Sequence, residues 1–284
     1  MIVYLNGAFC EEAEARVSVF DRGFLMADGI YEVTSVMQGR LVDYSAHMAR
    51  LDRSVTEMQM HLPVFVDELL SIHRDLIARN GILEGGVYLQ LTRGAPTGRD
   101  FLWPDPEEVA PTLFMYAFSK PLIDTAASRR GAKVKSVPDL RWHRRDIKTV
   151  QLLYSSQAKS LAHAEGYDDV WMVENGCVTE GSSSNAHIIK DGKIITRPLS
   201  NDILHGITRA ALLSYAAEAG IVVEERPFTI DEAQQADEAF ATSSTGLVQA
   251  VVAIDGVPIG LGEPGPRTRR LRQIYIEESL KRAI

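Results

Sequence analysis

Gly29-Ile30-Tyr31-Glu32-Val33-Thr34-Ser35-Val36-Met37, closed by Gln38-Gly39, reads as a long strand ending in a turn. The next segment is helical rather than another strand. Met48, Leu51, Val55 and Met58 recur at i, i+3, i+7 and i+10, which predicts a helix over 45–58. A second helix is expected over 66–80, stopped by Asn80-Gly81. Strands then return at Val87–Thr92 and Thr112–Ala117, separated by an irregular loop from Gly94 to Pro111 of a length usually tied to function or mobility. Upstream, Ile2–Leu5, the turn Asn6-Gly7 and Ala8-Phe9 form a hairpin signal. Ser119-Lys120-Pro121-Leu122 breaks the pattern. Beyond it lie strand signals at Lys133–Val137 and Asp169–Val173, with a helical stretch from Val150 to Glu165 between them. A turn at Asn175-Gly176, strands at Ile188-Ile189 and Ile194-Ile195, and helices over 209–219 and 268–281 complete the chain. Strands and helices mix without regular βαβ alternation, so the class is α+β. The expected division is a smaller N-terminal α+β domain over 1–118, a linker over 119–124 and a larger C-terminal domain over 125–284.

The chain has 284 residues, 45% hydrophobic and 24% charged, enough for one large or two modest domains with a sizeable core. Thirty basic against 38 acidic residues give a net charge of −8, which argues against a protein devoted to nucleic acid or anionic membrane. Two cysteines, Cys10 and Cys177, cannot build a disulfide framework or a Cys-rich zinc site. MIVYLNGAFCEE lacks the basic and apolar regions of a signal peptide, and no apolar run approaches the ~20 residues of a membrane span. The expectation is a cytoplasmic protein without a metal site: the seven histidines show no ligand spacing, and His143 sits beside Arg144 and Arg145.

One G-x-G-x-x-G match, Gly260-Leu-Gly262-Glu-Pro-Gly265, is rejected as a dinucleotide site. No βαβ unit follows, and Pro264 and Pro266 remove amides a pyrophosphate would need. Three other stretches carry chemistry. In Arg141-Trp-His-Arg144-Arg145-Asp146-Ile147-Lys148-Thr149, the bland reading is a solvated basic surface. The functional one is that Lys148, between Ile147 and Val150 and among cations, becomes a usable nucleophile. Val178-Thr179-Glu180-Gly181-Ser182-Ser183-Ser184-Asn185 reads as a polar lining or a plain Ser-rich loop. Gly206-Ile207-Thr208-Arg209 opens a helix, as an anion site or an ordinary N-cap. A lysine nucleophile, a carboxylate and a phosphate cradle are what pyridoxal phosphate needs, one hypothesis among several on residue chemistry alone.

At these residues the chain resembles the fold-type IV pyridoxal-phosphate enzymes, the group of D-amino acid, branched-chain and (R)-amine transaminases and aminodeoxychorismate lyase. Matching segments run in order through Phe20-Asp21-Arg22-Gly23, Asp28–Glu32, His47-Met-Ala-Arg50-Leu51, Thr92-Arg93-Gly94, Arg141-Trp142, Asp146-Ile147-Lys148, Thr179–Asn185, Gly206–Arg209 and Thr242-Ser-Ser-Thr245. The D-amino acid (D-alanine) transaminase branch is the nearest. The resemblance implies a two-domain α+β fold, a homodimer, and a pyridoxal 5'-phosphate site between the domains. It implies Lys148 as the Schiff-base lysine that also shuttles the substrate proton, and Glu180 as the carboxylate on the pyridine nitrogen. Arg50, Ile207, Thr208 and Ser244 match the phosphate cup, Leu204 the leucine packed on the ring, and Ser183 a cofactor-side hydroxyl. Tyr31, Arg99 and Thr245 are implied in substrate binding. Periodicity unaided would leave Arg50 exposed, sharing with His47 and Ser54 the face opposite Met48 and Leu51, and would make Tyr31 a core residue.

The long loop departs from the pattern. Where the D-alanine branch carries Arg-x-His for the substrate carboxylate, this chain has Arg99-Asp100-Phe101-Leu102. Arg99 can fill the arginine role, Asp100 should blunt its attraction for a carboxylate, and Phe101 and Leu102 make the loop apolar. The expected reaction is amino transfer between a D-alanine-like D-amino acid and a 2-oxo acid such as 2-oxoglutarate or pyruvate. Alternatives are an (R)-amine or branched-chain L-amino acid transaminase, then the lyase, then a degenerate homologue that binds without catalysing.

Overall fold

The computed structural model describes all 284 residues. They divide into two compact units: Met1–Pro121 with Ile147–Gln151 and Ala283–Ile284, and Leu122–Asp146 with Leu152–Arg282. The segment holding Lys148 thus belongs to the first unit, although the chain on either side of it belongs to the second.

In the first unit, β1 (Ile2–Leu5), β2 (Ala8–Glu11), β3 (Gly29–Met37), β4 (Arg40–Leu41), β5 (Glu84–Thr92) and β6 (Thr112–Ser119) form one sheet in the order β2-β1-β6-β5-β3-β4. All of its pairings are antiparallel. Asn6 and Gly7, at φ 47° and 95°, make the tight turn that the Asn-Gly pair predicts. Helix α1 (Arg22–Met26) is five residues long, too short for periodicity to reveal; α2 (Tyr44–Glu57) and α3 (Val66–Asn80) lie where the apolar spacing puts them. Val87, Leu89 and Leu91 of β5 and Leu113, Met115 and Ala117 of β6 are buried, the alternation of a sheet with one face on the core. Leu51 of α2 and Leu69 and Leu76 of α3 are buried as well.

The second unit has nine strands: β7 (Ala132–Pro138), β8 (Asp169–Glu174), β9 (Cys177–Gly181), β10 (Asn185–Lys190), β11 (Lys193–Thr196), β12 (Val223–Glu225), β13 (Glu238–Ser243), β14 (Leu247–Ile254) and β15 (Val257–Pro258). Their order is β12-β11-β10-β13-β14-β7-β8-β9, with β15 on β14. Three pairings, β11–β12, β14–β7 and β7–β8, are parallel. The helices are α4 (Ala126–Arg130), α5 (Leu153–Ala164), α6 (Ile207–Glu218), α7 (Ile230–Gln234) and α8 (Pro266–Arg282). Trp171, Val178, Ile188, Ile195, Phe228 and Ile254 are in one apolar core, while α5 packs Ala158 and Ala162 on Val170 and Met172. The Gly260–Gly265 stretch is a loop before α8. No helix is long and apolar enough to cross a membrane.

Two buried histidines tie the fold to pH. His73 donates from Nδ1 to the Leu69 carbonyl at 2.7 Å, and burial pushes its pKa down to about 4. His187, stacked on Phe240 at 4.6 Å, is likewise held well below the usual histidine range by burial, with the Arg209 charge adding to it. His73 is neutral in the folded protein at pH 5, whereas the unfolded chain takes up a proton there below about pH 6.5; the shift at His187 has the same direction. Stability should therefore fall as pH drops from about 6.5 toward 4, by up to about 1.4 kcal/mol per pH unit from His73, with His187 acting in the same direction. Urea-unfolding midpoints at pH 7.5, 6.0 and 5.0 check this; equal midpoints would contradict it.

Candidate active site

Lys148 is placed by backbone pairing to the outer edge of β3. The Tyr31 amide donates to the Lys148 carbonyl at 2.9 Å, the Val150 amide donates to the Gly29 carbonyl at 3.0 Å, and Ile30 and Thr149 form an antiparallel bridge. This extended pairing is why α5 begins at Leu153 and not at Val150 as its periodicity suggests. The Lys148 Nζ lies 4.2 Å from the centroid of the Tyr31 ring, and no carboxylate pairs with it. Tyr31 stacks on Tyr88 at 5.6 Å, and Tyr88 meets Tyr116 at 5.2 Å, so an aromatic shelf runs across β3, β5 and β6 beneath the amine. Tyr31 is half-buried on this shelf rather than in the core.

The arginines in the run that precedes Lys148 are each paired with a carboxylate. Arg141 is bound to Asp139 and Glu180, Arg144 to Asp146, and Arg145 to Glu174. The two carboxylates near exposed His143 are likewise paired: Arg145 holds Glu174 at 2.9 Å, and Arg197 holds Asp202 at 2.9 Å.

Arg50 is buried, contrary to what helix periodicity alone suggests. His47, Arg50 and Ser54 form a polar face of α2, and all three are buried; Glu32 of β3 supplies the partner for His47 and Arg50. Nε and Nη2 of Arg50 donate to the two Glu32 oxygens at 2.7 and 2.8 Å, and His47 Nδ1 meets Glu32 Oε2 at 2.8 Å. Burial alone would push the Glu32 carboxyl up, but Arg50 and His47 outweigh it and hold it far below the usual range. The guanidinium is thereby fixed in one orientation.

In the second unit, Glu180 is the penultimate residue of β9 and is buried. Its Oε1 accepts from Arg141 Nη1 at 2.6 Å; its Oε2 accepts from Asn185 Nδ2 at 3.1 Å and from the Leu204 amide at 3.0 Å. Arg141 is itself gripped by both oxygens of Asp139, which also accepts from Thr179 at 2.7 Å. Burial pushes the Glu180 carboxyl up despite Arg141 and the Leu204 amide, which pull it down. Arg141 and Asn185 are supports the sequence did not single out. Arg141 stood in the cationic run and in one of the segments that carry the resemblance, but without a role, because Glu180 lies 39 residues away.

Leu204 is thus joined to Glu180. Ile207 and Thr208 open α6 behind Gly206, where no side chain caps the helix, so the first-turn amides face outward for another acceptor. Ser244 and Thr245 lie in the turn between β13 and β14. Ser183 is exposed and hydrogen bonds to none of these groups. In the first unit's long loop, Asp100 Oδ1 accepts from the Leu102 amide at 3.0 Å rather than pairing with Arg99, whose guanidinium lies 4.8 Å over the Phe101 ring. The blunting expected from Asp100 does not take the form of an ion pair. The set of donors fits pyridoxal phosphate chemically: a lysine without a carboxylate partner, a buried carboxylate beside an arginine, a second fixed guanidinium and an uncapped helix start.

Comparison with known proteins agrees with that fit. A D-alanine aminotransferase of Staphylococcus haemolyticus is 39% identical over 274 residues, covering 95% of each chain. One of Listeria monocytogenes serotype 4b is 36% identical over 278 residues, covering 98% of this chain and 96% of its own. The branched-chain aminotransferase of the thermophilic archaeon Thermoproteus uzoniensis, solved with norvaline, superposes with a TM-score of 0.87 at 27% identity, over 99% of this chain and 95% of that one. The family model for amino-transferase class IV matches residues 29–254. The α+β chain is a fold-type IV enzyme and belongs to the class IV amino-transferase family, whose cofactor is pyridoxal phosphate.

Proposed function

We propose that this aminotransferase takes the amino group of D-amino acids, D-alanine above all, and passes it to a 2-oxo acid such as 2-oxoglutarate or pyruvate. The observation that carries the reading is Lys148, an amine without a carboxylate partner, 4.2 Å over the Tyr31 ring. The 39% identity to a D-alanine aminotransferase supports the choice of donor. When bound, pyridoxal phosphate supplies the electron sink that makes the substrate Cα proton labile. Lys148 Nζ holds the cofactor and moves that proton. Glu180, backed by Arg141, holds a proton at the ring nitrogen, and Leu204 packs on the ring with Ser183 at its side. Arg50, Ser244 and the Ile207 and Thr208 amides bind the phosphate. The Tyr31 hydroxyl, Arg99 and Thr245 orient the substrate. We place the enzyme in the cytoplasm as a homodimer, which the exposed Phe24, Phe101 and Leu102 support.

The test is the visible absorption of the holoenzyme as D-alanine, L-leucine and (R)-1-phenylethylamine are added separately. Loss of the lysine-bound cofactor band with D-alanine is the expected result; a response to the amine or L-leucine alone overturns the donor. A second reading, (R)-amine transamination, is favoured by Phe101 and Leu102, each 77% exposed on the loop beside Arg99. Arg99→Ala separates the two. It should raise KM for D-alanine by about 10- to 100-fold, the value of a charge-assisted hydrogen bond, and leave KM for the amine unchanged. Equal effects on both donors would remove Arg99 from carboxylate binding.

A further inference from the structure

We propose that Asn185 is a positioning residue for the ring carboxylate: its amide nitrogen fixes Glu180 and the Leu204 backbone together, and its oxygen seats against Gly206 at the start of α6. The inference rests on Glu180 facing the pyridine nitrogen, the role proposed for it in transamination.

Asn185 is the first residue of β10 and is buried. Its Nδ2 donates to Glu180 Oε2 at 3.1 Å and to the Leu204 carbonyl at 2.9 Å, so both amide hydrogens are used. Both partners are acceptors, which fixes which end of the amide is nitrogen. The Leu204 amide donates to the same Glu180 oxygen at 3.0 Å and closes a ring of three hydrogen bonds. Glu180 can therefore shift only if Leu204 shifts with it.

Gly206 shows the third contact. A Cβ there would lie 2.0 Å from Asn185 Oδ1, far inside van der Waals distance. At φ −65° and ψ 129° the backbone suits any residue, so the glycine serves space and not conformation. The space is taken by Asn185. One neutral side chain thus couples the carboxylate, the ring-packing leucine and the phosphate helix. Because it is neutral, it favours the ionised Glu180 without adding a competing charge.

The experiment compares the holoenzymes of N185A, N185D, G206A and N185A/G206A. N185A should lower kcat about 10- to 100-fold with little change in donor KM, and weaken pyridoxal phosphate binding to the apo-protein about ten-fold by fluorescence titration. N185D should be worse in kcat, since two carboxylates about 3 Å apart compete for one proton. G206A should reproduce the N185A phenotype by pushing the amide away. The double variant should be no worse than N185A, because the space that Cβ needs is then open. If N185A does not fold, N185S, which retains one donor, carries the comparison. A normal kcat and cofactor affinity in N185A with only a lowered thermal midpoint would reduce Asn185 to a structural role. Multiplicative losses in the double variant would overturn the contact with Gly206. If Glu180→Gln leaves kcat unchanged, the role of Glu180 fails; if Glu180→Gln is impaired and N185A is not, only this inference fails.

Discussion

Lys148→Ala is expected to lose transamination by on the order of 10⁴-fold or more while the protein stays folded. At this position the backbone and the side chain do separate jobs. Residues 147–151 are held to β3 by main-chain hydrogen bonds between Lys148 and Tyr31 and between Val150 and Gly29, and alanine keeps both. The lost group is an amine set against the Tyr31 ring, so no carboxylate is left unpaired by its removal. The thermal midpoint should be close to that of the parent, and the cofactor's lysine-bound absorption should disappear. Turnover within ten-fold of the parent, measured with D-alanine and 2-oxoglutarate, would rule out Lys148 as the covalent and proton-transferring group.

Glu180→Gln should cut kcat by about 10²- to 10³-fold with a smaller effect on cofactor retention. Glutamine has the same shape, but an amide cannot hold a proton at the ring nitrogen as a carboxylate does. Every direct neighbour of the carboxylate is a donor: Arg141 on one oxygen, Asn185 and the Leu204 amide on the other. Whichever way the substituted side chain turns, its NH₂ group faces a donor, which should lower stability by about 1–3 kcal/mol. Arg141 keeps its two bonds to Asp139, so the surroundings survive. Steady-state rates with urea-unfolding midpoints separate the two effects. An unchanged kcat with the stability loss would make Glu180 a structural residue.

The sequence revealed those parts of the fold whose cause is local. Asn6-Gly7 and Asn175-Gly176 adopt positive φ because their residue types tolerate it, and Gly81 ends α3 at φ 62°. Helices with three or more apolar turns were legible. The five-residue α1, α4 and α7 were not, because one turn carries no period. At the site, residue chemistry singled out the Lys148 and Glu180 stretches, yet Arg50 was invisible to it. An arginine on a polar helix face looks solvated until Glu32, on a strand in another part of the chain, is placed against it. The pairing of Arg145 was hidden for the same reason, since Glu174 lies 29 residues further on, whereas Asp146 stands only two residues beyond its partner Arg144. Charge partners set by tertiary pairing leave no mark in a local window.

The outer edge of β3 and the short β4 have a history during synthesis. Leu41 exchanges two backbone hydrogen bonds with Ile284, at 2.8 and 3.0 Å, and the neighbouring Arg40 reaches Ala283 across 243 residues. At about 5–20 residues per second, a ribosome needs roughly 10 to 50 s to make the intervening chain. For that time the nascent N-terminal sheet presents unpaired amides and carbonyls, first along Gly29–Tyr31 until residues 147–151 emerge, then at Leu41 until the last two residues do. Open strand edges are templates for pairing with other chains. The two edges therefore close in chain order, and the window for such pairing at Leu41 ends only when residues 283–284 are made.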